Sequence, residues 1–222
     1  MHPVDLYCER VAPGLLGEPL NTTSNAAFFI AAWLLWRFAG KNLFPSARAR
    51  LLIAMIAVIG VGSTLFHLFA SEETRSLDLL PILVFELLFL WFYARMVMRM
   101  AAPVAAVLAA LLLALSLYGR AHAESLNGSL VYAPALLVLL GLAMYHFNMR
   151  LNGRFDLVLA FGLFLASLGF RTIDLAVCQW TRVGTHFMWH ILNAAVLYLC
   201  VRGWLRGLQL QRAPMAITAN RC

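Results

Sequence analysis

Charge is scarce in this sequence. Asp, Glu, Lys and Arg make up 12% of the 222 residues, where soluble chains carry about a quarter. With 63% hydrophobic residues, a core of this size cannot bury them all, so a soluble globular domain is excluded and lipid must cover much of the surface. Lysine is nearly absent: Lys41 is the one Lys among seventeen basic residues, which together with the Ala and Leu richness points to a bacterial chain. The basic residues are scattered between apolar runs and build no face, so nucleic-acid binding is excluded as well. There is no low-complexity tract and no soluble-type repeat. A basic leader with a small-residue cleavage site is also lacking, because Asp5, Glu9, Arg10 and Glu18 crowd the first eighteen residues. The first apolar run is therefore expected to stay in the membrane.

Seven apolar runs of about the length that crosses a bilayer are present. They cover Asn21–Phe38, Arg50–Phe69, Leu77–Val97, Pro103–Tyr118, Leu130–Tyr145, Phe155–Ile173 and Thr185–Leu205. Short polar connections predict an all-α, up-and-down bundle of seven transmembrane helices. One membrane domain is expected over residues 1–222, with an outer segment at 1–19 and a cytoplasmic tail at 207–222. The positive-inside rule sets the orientation. With the N-terminus outside, twelve basic residues (Arg37, Lys41, Arg48, Arg50, Arg95, Arg99, Arg150, Arg154, Arg202, Arg206, Arg212 and Arg221) fall inside and five (Arg10, Arg75, Arg120, Arg171 and Arg182) outside. This predicts N-out and C-in. In a bacterium the protein would be a multi-pass protein of the inner membrane with its site on the periplasmic side.

Ionisable residues in or at the edge of a span are costly and therefore suggest function. His186 and His190 are four apart at the start of span seven, on one helical face, a spacing that chelates metal or simply pins helices. His67 ends span two, with Ser63 one turn earlier on the same face. The predicted topology brings all three imidazoles to the outer end, where three protein ligands and one open position are the catalytic form of zinc. Asp78 opens span three at the same end, either as a helix N-cap ahead of Pro81 or as a general base. Glu86 lies two turns deeper and reads as a buried hydrogen-bonding partner. His2, His122 and His146 are terminal, in a loop and at the inner end, so none is expected at this site. The carboxylates of Glu9 and Glu18 gather before span one, where they are solvated charges or caps, or else the hard oxygen ligands that suit calcium. Asn21, Ser24 and Asn25 either cap the first helix or face the bundle. Cys8 and Cys178 both lie on the outer side, where disulfides persist, and a bridge between them is topologically allowed.

These segments resemble the alkaline ceramidase family, within a superfamily of seven-helix hydrolases that includes adiponectin-receptor-like proteins. The resemblance is carried by Cys8-Glu9, by Glu18-Pro19-Leu20-Asn21 through Ser24-Asn25, by Gly62-Ser63 to His67, and by Asp78. It continues in Arg171, Asp174, Cys178 and His186 to His190. It implies a zinc amidase that hydrolyses ceramide to a sphingoid base and a free fatty acid. His67, His186 and His190 would hold Zn2+, Asp78 would shuttle the proton, Ser63 would bind the oxyanion, and Trp189 would line the substrate pocket. It also implies a Cys8–Cys178 disulfide, and Ca2+ held by Glu9, Glu18 and Asp5, although the family's Asn two residues after the Glu is Val11 here. The implied partners are a membrane lipid substrate and the bilayer, with no obligate protein partner. Competing readings are a phospholipid or acyl-ester hydrolase on the same scaffold, a lipid-sensing receptor of the adiponectin-receptor type, whose orientation is opposite, and a haem protein with His67 and His190 as axial ligands.

Overall fold

The apolar runs form helices because their backbone groups have no water to bond inside a bilayer. The computed structural model describes residues 4–10, 15–42, 46–122 and 125–210. Among these residues it is all-helical, with eight α-helices: α1 (Pro19–Ser24), α2 (Ala26–Asn42), α3 (Ala47–Phe69), α4 (Glu72–Met96), α5 (Ala102–Ala121), α6 (Ala133–Asn148), α7 (Arg154–Ile173) and α8 (His186–Leu210). Six segments are long and apolar enough to cross a membrane: α3, α4, α5, Leu126–Asn148 (which contains α6), α7 and His186–Gln209 of α8. The first expected run is divided into α1 and α2. The break at Asn25 has a local cause: its side-chain Nδ2 donates to the Asn21 carbonyl at 3.0 Å, while its backbone N–H turns to Thr22.

α4 starts a turn and a half before the expected Leu77. Ser71 and Thr74 form a reciprocal capping box there, so Asp78 is not the helix cap that its place before Pro81 suggested. Pro81 has no N–H to give the Leu77 carbonyl one turn back. That carbonyl lies against Gly62 of α3, where an added Cβ would come within 2.1 Å of its oxygen. A bare Gly62 thus lets α3 and α4 approach closely beside Ser63 and Asp78. Gly62→Ala is expected to cost about 1–3 kcal/mol through overpacking, read as a fall in melting temperature.

The core runs along the inner faces of α2, α3, α4, α7 and α8, with Leu35, Ile56, Tyr93, Leu157 and Trp204 fully buried. The outward faces stay apolar, as Trp33, Val107, Leu111 and Leu137 are all more than half exposed, the surface that lipid covers. At the end of the bundle away from the histidines, Asp156 pairs with Arg202 at 2.7 Å and Arg206 at 3.2 Å. His146 is also at that end, between Tyr93 and the Asn152 carbonyl, and His122 is exposed. His2, Val11 and residues 211–222 of the expected tail lie outside the described residues.

Candidate metal centre

Two helix ends meet at the site. His67 is in the last turn of α3, and His186 and His190 lie in the first turns of α8. The start of α8 is held by Asp174, whose Oδ1 accepts the N–H groups of Thr185 at 2.6 Å and His186 at 2.9 Å. Its Oδ2 accepts the N–H of Cys8 at 2.9 Å, drawing in the N-terminal segment. Gly184, at φ +66°, leaves room for that carboxylate, because a Cβ there would sit 2.2 Å from Oδ1. Cys8 and Cys178 are disulfide-bonded, with their Cα atoms 5.5 Å apart. The bridge seats Tyr7 over the site, its ring stacked on His186 with centroids 3.6 Å apart. Burial pushes the Tyr7 phenol up to about 12, against the opposing pull of Arg171, so the stacked ring is neutral.

The three imidazoles are all buried, and their ligand nitrogens lie within 4.8 Å of one another. His67 Nδ1 donates to Glu18 Oε2 at 2.6 Å, which directs Nε2 into the cluster. Ser24 Oγ gives its proton to the Asn21 carbonyl at 2.9 Å and so accepts from His190 Nδ1 at 2.7 Å, directing that Nε2 inward too. The two Nε2 atoms are 3.1 Å apart. Imidazoles oriented by oxygen partners on their outer nitrogens are the normal surround of a metal ligand. The donor set therefore fits a divalent ion bound at about 2.0–2.1 Å from each nitrogen. It does not fit axial ligation of haem by His67 and His190, since two metal–nitrogen bonds in line would set the nitrogens about 4 Å apart. His186 Nδ1 is buried and has no hydrogen-bond partner among the described residues.

Ser63 Oγ is 3.5 Å from His190 Nε2, and the Asp78 carboxylate interacts with Ser63 across the α3–α4 contact. Both side chains are buried, at 3% and 8% exposure. Trp189 is buried under the cluster, 4.7 Å from Tyr132 between ring centroids. Below it opens a cavity of about 70 Å³, lined by Phe28, Phe85, Tyr132, Trp189 and other apolar side chains down to Cys200. The eleven steps along α8 from Trp189 to Cys200 give it a depth of about 16 Å. Glu86 also lines this cavity, and no hydrogen-bond partner for it is found among the described residues, contrary to its reading as a buried hydrogen-bonding group.

The acidic residues of the N-terminal segment have other work than calcium. Glu9 accepts the N–H groups of Leu20 at 2.6 Å and Asn21 at 2.8 Å, capping α1 from another segment. Glu18 meets Arg10 Nε at 2.5 Å through Oε1, and Asn21 Nδ2 at 3.0 Å and His67 through Oε2. Burial alone would raise its pKa, but the hydrogen bonds from His67, Asn21 and Arg10 outweigh it and hold the group below its ordinary value. Asp5 is exposed. A calcium site finds no support in this arrangement, because the Arg10 guanidinium already provides the positive charge beside Glu18. Arg10 also donates Nη2 to the His67 carbonyl at 2.9 Å. The roles of Arg10, Ser24, Tyr7, Arg171 and Asp174 were not read from the sequence, and the one available signal was the clustering of charged and hydroxyl residues at span ends. Glu18→Gln is expected to weaken metal affinity about 10–100-fold, measured by competition with a chelator.

No curated protein matches the chain. The family model described as Ceramidase matches residues 6–215, a stretch that begins just before Tyr7 and Cys8 and takes in every residue of this cluster through His190. The disulfide-held segment, the three histidines and the long apolar cavity beneath them thus lie within one family's pattern, and the chain belongs to the Ceramidase family.

Proposed function

We propose that the protein is a zinc-dependent amidase that hydrolyses ceramide to a sphingoid base and a free fatty acid. Membership of the family supports ceramide as substrate. The observation that carries the chemistry is the convergence of His67, His186 and His190 beside Asp78 and Ser63, directly above a cavity shaped for an acyl chain. Zinc, when held by the three histidines, would polarise the amide carbonyl and make water more acidic. Asp78 takes the proton of the attacking water and delivers it to the departing amine as the C–N bond breaks. Ser63 donates to the carbonyl oxygen as charge develops there. Trp189 and the cavity below it hold the acyl tail in place, and burial of the site limits competing water.

In this reading α1 and α2 together make one crossing, giving a single domain of seven spans. The N-terminus and the metal centre are on the outer face, which is the periplasmic side if the host is bacterial. Purified protein should release fatty acid from ceramide and contain one zinc per chain by elemental analysis. Release from phospholipids or acyl esters but not from ceramide would sink the amidase reading in favour of an esterase.

A further inference from the structure

Beside Asp78 lies a second, smaller cavity of about 40 Å³, whose lining includes Tyr7, Arg75, Asp78, Arg120, Val131 and Arg171. Its charged lining is three arginines and one aspartate; Arg75 is paired with Glu72 at 3.3 Å, which leaves Arg120 and Arg171 against Asp78, a net of +1. Arg171 is the unusual member. It is 7% exposed, and its guanidinium is caged by rings, 5.9 Å from the centroid of Tyr7 and 5.6 Å from those of Tyr132 and Trp189. Nη1 donates to the Asn127 carbonyl at 2.6 Å, yet Nε is buried and has no hydrogen-bond partner among the described residues. Asp174, three residues on, does not neutralise it, because both Asp174 oxygens hold backbone N–H groups of other segments. A buried guanidinium with an open donor is costly unless an anion completes it.

Its location says which part of a substrate it meets. Tyr132 and Trp189, the rings beneath Arg171, line the roof of the acyl cavity, whereas Arg171 and Asp78 share the second cavity above. With the tail below and the scissile amide at the histidines, the amine portion of the substrate lies in the basic cavity next to Asp78. The amine portion of ceramide carries hydroxyls and no charge, so it brings no anion to the excess of Arg120 and Arg171 over Asp78.

We propose that this cavity selects acyl amides whose amine portion carries an acid group, a carboxylate or a phosphate, as substrates beyond ceramide. The proposal rests on the amidase reading. Two matched pairs test it on purified protein in a neutral detergent: N-palmitoylglycine against N-palmitoylglycinamide, and N-palmitoyl-phosphoethanolamine against N-palmitoylethanolamine, with palmitate release as the readout. At least one acid member should be hydrolysed with a kcat/KM about tenfold above its neutral partner, the size of one charge-assisted contact. The pair that shows the preference tells carboxylate from phosphate. The acid-to-neutral ratio should fall towards one in Arg120→Gln and Arg75→Gln and partly survive in Arg120→Lys. These two arginines are chosen because they lie on the exposed side of the cavity, where substitution spares the fold. The preferred acid should also raise the melting temperature more than its neutral partner, a readout independent of turnover. If both neutral amides are cleaved as well as the acids, the proposal is overturned while the amidase reading stands. If neither these amides nor ceramide is cleaved, both fail.

Discussion

Asp78→Asn protein is expected to hydrolyse ceramide about 10²–10⁴-fold more slowly while holding its metal as tightly as the parent, the range that a positioned proton-transfer group contributes. The carboxylate sits one helix away from the histidines and interacts with Ser63 and His67, so Asn keeps the shape and polarity but cannot take a proton. The close packing at Gly62 and Leu77 involves backbone and survives the change. Zinc content and melting temperature should therefore stay at parental values as kcat falls. Parental kcat in Asp78→Asn would remove Asp78 from the reaction.

His186→Ala is expected to lower metal affinity by more than about 100-fold, beyond what loss of an outer-nitrogen partner causes, and activity with it. The fall has two sources. One of three nitrogens is deleted, and the Tyr7 ring loses the imidazole on which it stacks at 3.6 Å. The fold should persist, because Asp174 accepts the backbone N–H of residue 186, which Ala also supplies. The decisive measurement is zinc per chain after dialysis, alongside the rise in melting temperature on adding zinc back. An unchanged zinc content in His186→Ala would refute the ligand assignment.

The membrane helices were legible in the chain because hydropathy is a local property. Arg50–Phe69 against Ala47–Phe69, and Phe155–Ile173 against Arg154–Ile173, differ by three residues or fewer at their starts and agree at their ends. The last helix runs five residues past its expected end at Leu205, and two further departures involve polar side chains that bond their own backbone. Ser71 and Thr74 start α4 early, and Asn25 breaks the first run by taking the Asn21 carbonyl. Such bonds do not register in an average of apolarity. The histidines were legible too, since a spacing of four on one helix and the alternation of helix direction suffice to bring His67 to the end where His186 and His190 lie.

The surroundings of those histidines were not legible, because they join segments far apart in the chain. Glu18 reaches His67 across 49 residues, Ser24 reaches His190 across 166, and Asp174 joins Cys8 to the start of α8. The same carboxylates read equally well as calcium ligands, as caps or as solvated charges, and Glu9 and Glu18 turned out to serve as a helix cap and a histidine partner. Local composition and periodicity were enough to establish an apolar helical chain with three histidines at one end. Which oxygen orients which nitrogen, and which arginines stand beside Asp78, depends on how helix ends separated by most of the chain pack together, an arrangement that no short stretch of residues encodes.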